Sequence, residues 1–206
     1  MIVNVAQIVP CTEAEGPGKR FALWFQGCPL RCAGCCNPEM LPFEGGMPRS
    51  MEDLKVEIRA ARDEFGIEGI SLLGGEPLAH AAAAAALARE AWELGLSVMV
   101  YSGYTLAEAH ALSDPAVADV LAQCDILVDG PYLRELPEPH RRWVGSANQV
   151  VHFLTKRYRP NDAMWVKPNT LEIRLRGGEL SVNGFPAPPA AGLWRRLHIQ
   201  SPSRRE

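Results

Sequence analysis

The chain has 206 residues, of which 47% are hydrophobic and 22% charged, an ordinary composition for a globular protein of one domain. The formal net charge of −3 gives no electrostatic case for nucleic acid as the main ligand. No signal peptide is recognisable at the start and no apolar run reaches membrane-spanning length, so we expect a cytoplasmic protein that does not cross a membrane.

Four short apolar runs, each followed by a turn, predict buried strands. In chain order they are FALWFQ before Gly27, GISLL before Gly74, LSVMVYS before Gly103 and DILVD before Gly130. Ahead of GISLL, the segment SMEDLKVEIRAARDEFG predicts a helix that Ser50 caps and Gly66 ends. Two further helical segments follow, LAHAAAAAALAREAWELG and TLAEAHALSDPAVADVLAQC.

Strand and helix alternate at about 30 residues per unit, which predicts an α/β fold with a parallel sheet and right-handed crossovers. Because the chain is shorter than the ~250 residues of an eight-unit barrel, we expect a partial barrel. The carboxyl ends of parallel strands lie at one edge of a sheet, where ligands bind. The cysteine segment, GGEP, SGYT and DGPY each follow a predicted strand, so we expect them to meet there.

The pattern changes near Pro160. The segment LEIRLRGGELSVNG alternates apolar and polar residues around Gly177 and Gly178, which predicts a β-hairpin. We therefore expect an α/β core over residues 1–158, with a hairpin and tail over residues 159–206 packed on it.

Four of the six cysteines lie in GCPLRCAGCCNPE, residues 27–39, where Cys28, Cys32 and Cys35 are spaced x3 and x2 and Cys36 follows. Thiolates select zinc, copper(I) or iron–sulfur clusters. A structural zinc site needs a fourth ligand, from Cys36 or from a distant residue. A 4Fe-4S cluster held by three thiolates leaves one iron open to a substrate or cofactor.

The C-x3-C-x2-C motif followed by GGEP resembles the radical S-adenosylmethionine (SAM) superfamily over roughly residues 1 to 155. With YSGYT, DILVDGPY and GSANQVV, the chain is similar to the small activating enzymes of anaerobic ribonucleotide reductase. The resemblance implies that Cys28, Cys32 and Cys35 hold three irons of a 4Fe-4S cluster and that SAM chelates the fourth.

The resemblance also implies a set of SAM contacts at the strand ends. They are Gly34, Cys36, Gly74, Gly75, Glu76, Pro77, Ser102, Gly103 and Asp129. A purely structural alternative is that Pro77 begins a helix and Glu76 favours its positive end. Asp129 sits on an apolar strand, so its charge needs a partner, and a turn-forming role is equally open.

Several residues depart from the pattern or carry weaker expectations. Relatives often place an aromatic residue where this chain has Cys36, which we interpret as a small buried hydrophobe under the cofactor rather than as a ligand. A later loop could gate the cavity or dock a partner through Arg142, Ser146, Asn148 and Gln149. The five histidines show no ligand spacing, and we assign them no function.

The implied activity is reductive cleavage of SAM to methionine and a 5'-deoxyadenosyl radical, which takes hydrogen from a backbone glycine of a glycyl-radical enzyme. A low-potential donor such as flavodoxin or ferredoxin would supply the electron. One alternative is a small-molecule radical SAM enzyme similar to 7-carboxy-7-deazaguanine synthase, suggested by the loop TEAEGPGKRF. Another is a zinc-binding or redox-sensing module.

Overall fold

The computed structural model of the chain describes residues 1–176 and 179–185. The strands are β1 (Ile2–Thr12), β2 (Arg20–Phe25), β3 (Met47–Ser50), β4 (Gly69–Leu73), β5 (Ser97–Tyr101), β6 (Ile126–Asp129), β7 (Val150–Phe153), β8 (Leu171–Arg176) and β9 (Glu179–Gly184). The α-helices are α1 (Met51–Phe65), α2 (Ala81–Glu93), α3 (Leu106–Ala111) and α4 (Pro115–Ala122), and 3-10 helices span Pro38–Met40, Pro77–His80 and Ala163–Val166.

Seven strands form one mixed sheet in the order β3, β1, β2, β4, β5, β6, β7. The four central strands β2, β4, β5 and β6 are parallel, and they are the four strands that the apolar runs predict. β1 and β3 extend one side and β7 the other, all by antiparallel pairing. The α/β fold with a parallel core is thus confirmed, whereas curvature into a partial barrel stays a prediction.

β1, β3 and β7 were not predicted. β1 interrupts its apolar residues with Asn4 and Gln7, and of its eleven residues only Val3, Val5, Val9 and Thr12 are buried. β3 and β7 have four residues each and lie at the two ends of the seven-strand sheet. Such short, half-exposed strands carry little of the continuous apolar signal that marks a buried parallel strand.

The helices follow their capping residues. The Ser50 hydroxyl accepts a hydrogen bond from the backbone N–H of Asp53, and Gly66 ends α1 with a left-handed φ of 63°, as predicted. The third predicted helical segment is divided into α3 and α4. The division falls at Pro115, because proline favours the first turn of a new helix and the Asp114 carboxylate caps it.

The two faces of the sheet are packed differently. One face of the sheet packs against the helices, whose side chains Leu54, Ile58 and Leu87 are fully buried there. The opposite face, formed by alternate residues of the same strands, carries Met99 and Ile126 under residues that follow β7. None of the described helices is long and apolar enough to cross a membrane.

β8 and β9 pair as an antiparallel hairpin in which Arg176 is opposite Glu179, as the alternating pattern predicts. The turn residues Gly177 and Gly178 and the predicted tail over residues 186–206 lie outside the described residues. The boundary near residue 158 between a core and a C-terminal unit stays a prediction.

Candidate functional site

The four segments that follow the parallel strands meet at one edge of the sheet, as predicted. The backbone N–H of Glu76 donates to the carbonyl of Gly27 over 3.0 Å, which joins GGEP to the cysteine loop. The Gly103 backbone lies against the same loop, since a Cβ there would approach Leu30 to 2.5 Å. The N–H of Ser102 donates to the carbonyl of Val128 over 2.9 Å, which ties SGYT to β6.

The cysteine loop is closed by hydrogen bonds that do not involve its thiols. The Gln26 side-chain amide donates to the carbonyls of Glu39 (3.0 Å) and Pro42 (2.7 Å). The backbone N–H groups of Gly27 and Cys28 donate to carbonyls further along the same loop. These hydrogen bonds within the protein therefore fix the backbone of the loop that carries the thiols.

Cys28 is buried, while Cys32 and Cys35 are half-buried. Burial raises the pKa of Cys28, although the backbone N–H groups of Arg31 and Leu30 oppose the shift. Burial also raises the pKa of Cys35, and negative charge on neighbouring thiolates adds to it. Within residues 1–176 and 179–185, no three His, Cys, Asp or Glu side chains are arranged to hold a single metal ion.

These thiols form a donor set that fits an iron–sulfur cluster. All three are soft sulfur ligands on one loop, and backbone N–H groups point at two of them, as with Asn37, whose N–H lies 3.4 Å from the Cys35 sulfur. Because burial raises the pKa of Cys28 and Cys35, their thiolate forms need a compensating cation, which a metal centre provides.

Cys36 is exposed on the cysteine loop, and its thiol forms a hydrogen bond with Tyr132 of the DGPY segment. Its interpretation as a small hydrophobe under the cofactor concerns the cofactor-bound state and stays a prediction. Burial and then this bond to Cys36 raise the pKa of Tyr132 to about 12. Next to it, Gly34 leaves room for Arg134, which a Cβ would meet at 2.8 Å.

Glu76 joins two strand ends. One carboxylate oxygen accepts from the N–H of Leu78 and from the Ser102 hydroxyl, both at 2.9 Å, and the other accepts from the N–H of Gly103 at 2.8 Å. Burial raises the pKa of this carboxyl to about 7, even though all three donors act to lower it. The side chain is therefore engaged within the protein, and Pro77 begins the 3-10 helix that the structural alternative predicted.

The paired glycines make this approach possible. Gly75 has a left-handed φ of 46°, and a Cβ on it would collide with the backbone carbonyls of Gly27 and Phe25. A Cβ on Gly74 would strike the Trp24 side chain. The Gly-Gly pair is therefore required for GGEP to lie against the cysteine loop, whatever else it binds.

Asp129 has the partner that its burial requires. Its Oδ2 accepts from the N–H of Leu106 over 2.5 Å and lies 2.9 Å from His152 Nε2. His152 was assigned no function because it shows no ligand spacing, and it lies in β7, a strand that was not predicted. The pair borders a cavity of about 580 Å³ that His110 and Val150 also line.

The later loop holds the DGPY segment in place. The Ser146 hydroxyl accepts from the N–H of Leu133 over 3.1 Å, and the side-chain amides of Asn148 and Gln149 donate to the carbonyls of Pro131 and Gly130. Arg142 instead points away, toward Thr170 and Met164. A gating or docking role for these residues stays a prediction.

Among the buried charged residues that the sequence analysis missed are Arg20 and Glu15. Arg20 is fully buried where the parallel strands begin, and its guanidinium donates to the hydroxyls of Ser71 (2.7 Å) and Ser97 (2.9 Å). Nearby, burial raises the pKa of Glu15 to about 8. In the sequence, Arg20 reads as a polar residue just before the apolar run FALWFQ. Its burial follows only from strand pairing, which places Arg20 opposite Gly69 and Gly69 opposite Ser97.

Comparison with known proteins identifies the family of this chain. Residues 14–152 match a family model described as a 4Fe-4S single cluster domain. Anaerobic ribonucleoside-triphosphate reductase-activating proteins are 34% identical in Vibrio cholerae and 33% in Escherichia coli K12, each over 160 residues, 74% of this chain and 99% of the relative.

Among solved structures, QueE from Escherichia coli is 21% identical, with a TM-score of 0.39 over 51% of this chain and 54% of its own, a likeness too low to support an argument. The family match supports an iron–sulfur cluster in this chain. The chain therefore belongs to the family of anaerobic ribonucleoside-triphosphate reductase-activating proteins with a 4Fe-4S single cluster domain.

Proposed function

We propose that the chain is a radical SAM activating enzyme that generates a glycyl radical in a large partner protein. The observation that carries the proposal is the meeting of three cysteines on one loop with the GGEP and SGYT segments at a single sheet edge. The cluster, when bound with SAM, would supply the electron that yields methionine and a 5'-deoxyadenosyl radical, which takes the hydrogen of a partner glycine.

In this proposal Cys28, Cys32 and Cys35 hold the cluster. The hydrogen bond from the Glu76 N–H to the Gly27 carbonyl keeps the GGEP backbone beside the cysteine loop. The carbonyls near Gly74 and Gly75 would then be available to an ammonium group. Because the Glu76 carboxylate already accepts three hydrogen bonds, its part is to fix the two strand ends rather than to meet the cofactor directly.

Ser102 and Asp129 contribute in the same indirect way. The Ser102 hydroxyl donates to Glu76 and accepts from the N–H of Tyr104 over 3.1 Å, which leaves it one acceptor position for a ligand. Asp129 receives the N–H of Leu106 and faces His152, so it anchors the start of α3. The cofactor would therefore be bound mainly by backbone groups that these two side chains hold in position.

The partner proposed here is an anaerobic ribonucleotide reductase, because the relatives are named as its activating proteins. The reductant proposed is a low-potential protein such as flavodoxin or ferredoxin. The reductant follows from the chemistry, since cleavage of the SAM sulfonium requires one strongly reducing electron.

The test begins with anaerobic reconstitution of the chain, for which we expect four irons and four sulfides per chain by analogy with a cubane cluster. Addition of dithionite and SAM should release 5'-deoxyadenosine, and Cys32→Ala should abolish the release. Addition of the partner reductase should then produce a glycyl doublet in the electron paramagnetic resonance spectrum. A colourless chain loaded with zinc would overturn the proposal at the first step.

A further inference from the structure

The seven-strand sheet ends at β7, whose outer edge, the side away from β6, is paired with no strand among residues 1–176 and 179–185. β7 is the last strand in the sheet order and pairs only with β6. All four residues of β6 are buried, whereas Val150 is 48% exposed and the other three residues of β7 are half-buried. The outer edge of β7 is therefore accessible from solvent.

The backbone of β7 carries hydrogen-bonding groups on this outer edge. The N–H of Leu154, just after β7, donates to the carbonyl of Asp125 on the β6 side over 2.9 Å. Backbone groups of successive residues in a strand point to opposite sides, so those of Val151 and Phe153 point away from β6. These two residues can hydrogen-bond to a strand that is added beside β7.

The two outermost strands of the sheet differ in their side chains. β3, at the opposite end, has the sequence MPRS, in which Pro48 and Arg49 disfavour pairing with a further strand. β7 also has four residues, but its sequence VVHF contains no proline, lysine or acidic residue. Proline and charge are common means of preventing unwanted pairing at an exposed strand. β7 lacks both, so its outer edge is suited to pairing with another chain.

A groove lies beside this strand. It is the cavity of about 580 Å³, bordered by Leu106 and Ala107 of α3 and by Val150 and His152 of β7. A groove between an exposed strand and a helix can hold an extended peptide that is added to the sheet. Main-chain hydrogen bonds to the strand then give affinity, and alternate side chains of the peptide enter the groove.

The groove is continuous with the candidate site. Asp129, Gly130 and Pro131, where β6 leads into DGPY, line the groove. The next residue, Tyr132, is hydrogen-bonded to Cys36 of the cysteine loop. A polypeptide that pairs with β7 is therefore brought beside the loop that carries the thiols.

The outer edge of β7 belongs to the part of the chain that is shared with relatives. The family match covers residues 14–152, which include the groove and all but the last residue of β7. Residues 186–206 lie beyond that match, and 74% of this chain covers 99% of the Vibrio cholerae relative. A shared groove favours a partner common to the family over the chain's own C-terminal residues as its occupant.

We propose that an extended segment of the partner reductase pairs with the outer edge of β7 and places alternate side chains in the groove beside α3. This inference rests on the proposed function. The added segment forms main-chain hydrogen bonds with Val151 and Phe153, and an apolar side chain of the segment contacts Val150. Strand pairing thus docks the partner next to the strand end that leads to the cysteine loop.

Amide hydrogen exchange tests where the partner binds, using the full chain with and without the anaerobic ribonucleotide reductase of the same genome. Exchange at Val151 and Phe153 should slow by at least about tenfold in the complex, because strand pairing protects their N–H groups. Exchange over residues 47–50 of β3 should not change. Unchanged exchange at β7 in a mixture that forms the glycyl radical would overturn the docking site, while the proposed function would stand.

Val150→Lys tests the groove through the kinetics of glycyl-radical formation. It should raise the partner concentration needed for half-maximal rate about tenfold, because a charge replaces an apolar contact, and should leave the maximal rate unchanged. Val56→Lys is the control, since it makes the same change at a valine of α1 that is 58% exposed. It should keep the wild-type values, and wild-type values in Val150→Lys would contradict the proposal.

Other occupants of the outer edge predict a different result in the free chain. If a second copy of the chain or its own C-terminal residues already paired with β7, exchange at Val151 and Phe153 would be slow without the partner and unchanged by it. That result would overturn the proposal. A wild-type chain whose β7 is protected by the partner but which forms no glycyl radical would overturn the proposed function and leave the docking site standing.

Discussion

Glu76 offers the sharpest test of how the strand ends are held together. Its carboxyl is fully buried and its pKa is raised from 4.5 to about 7. A raised pKa means that the folded protein binds the proton more tightly than the unfolded chain, so this contribution to stability is complete below pH 4.5 and is lost as the pH rises through 7. Between pH 5 and pH 8 the loss amounts to about 2.5 kcal/mol.

Glu76→Gln should remove this pH dependence, because an amide does not titrate. Urea unfolding of both proteins at pH 5 and pH 8, under reducing conditions, measures how the free energy of unfolding changes with pH.

The matched control is Glu108→Gln. Glu108 is exposed and caps α3, and hydrogen bonds from Thr105 lower its pKa, so its titration lies below the measured range. The control should keep the pH dependence of the wild-type protein between pH 5 and pH 8. An equal pH dependence in the wild type and in Glu76→Gln would refute the view that Glu76 titrates inside the folded protein.

Three further changes test other parts of the site. Gly75→Ala should reduce the iron bound per reconstituted chain severalfold, because its Cβ would strike the cysteine loop. Gly95→Ala is the control: its backbone is also left-handed but the space around it is open, so it should bind the full amount of iron. Cys36→Phe should retain its cluster by iron and sulfide analysis, and loss of iron would identify the thiol as a ligand. His152→Ala should lower the free energy of unfolding in urea by about 1–3 kcal/mol because it leaves Asp129 without its side-chain partner, and an unchanged midpoint would contradict that role.

The sequence predicted the parts of the fold that are buried on both faces. GISLL and DILVD read as continuous apolar runs because parallel strands between two packed layers expose neither side, and both form strands at the predicted positions. The capping signals of Ser50 and Gly66 are equally local, so α1 was predictable at both ends. The outer strands β1, β3 and β7 carry mixed patterns and depend on pairing partners distant in the chain.

The sequence predicted which segments meet at the site, but not which side chains contact one another there. Residues that directly follow parallel strands must meet at one edge, and the cysteines, GGEP and SGYT do so. The use of Glu76 as a bridge and of His152 as the partner of Asp129 depends on the three-dimensional register, since His152 lies 23 residues after Asp129. The burial of Arg20 among serine hydroxyls depends on register in the same way.

The central claim is that this chain transfers a hydrogen atom from a partner glycine to the 5'-deoxyadenosyl group. The most direct test uses the anaerobic ribonucleotide reductase of the same genome, labelled with α-deuterated glycine, together with the reconstituted chain, SAM and dithionite. Mass spectrometry of the 5'-deoxyadenosine should show one added deuterium, and the label should be absent with Cys32→Ala. Unlabelled 5'-deoxyadenosine from the wild-type chain, formed while the partner is present, would contradict the claim.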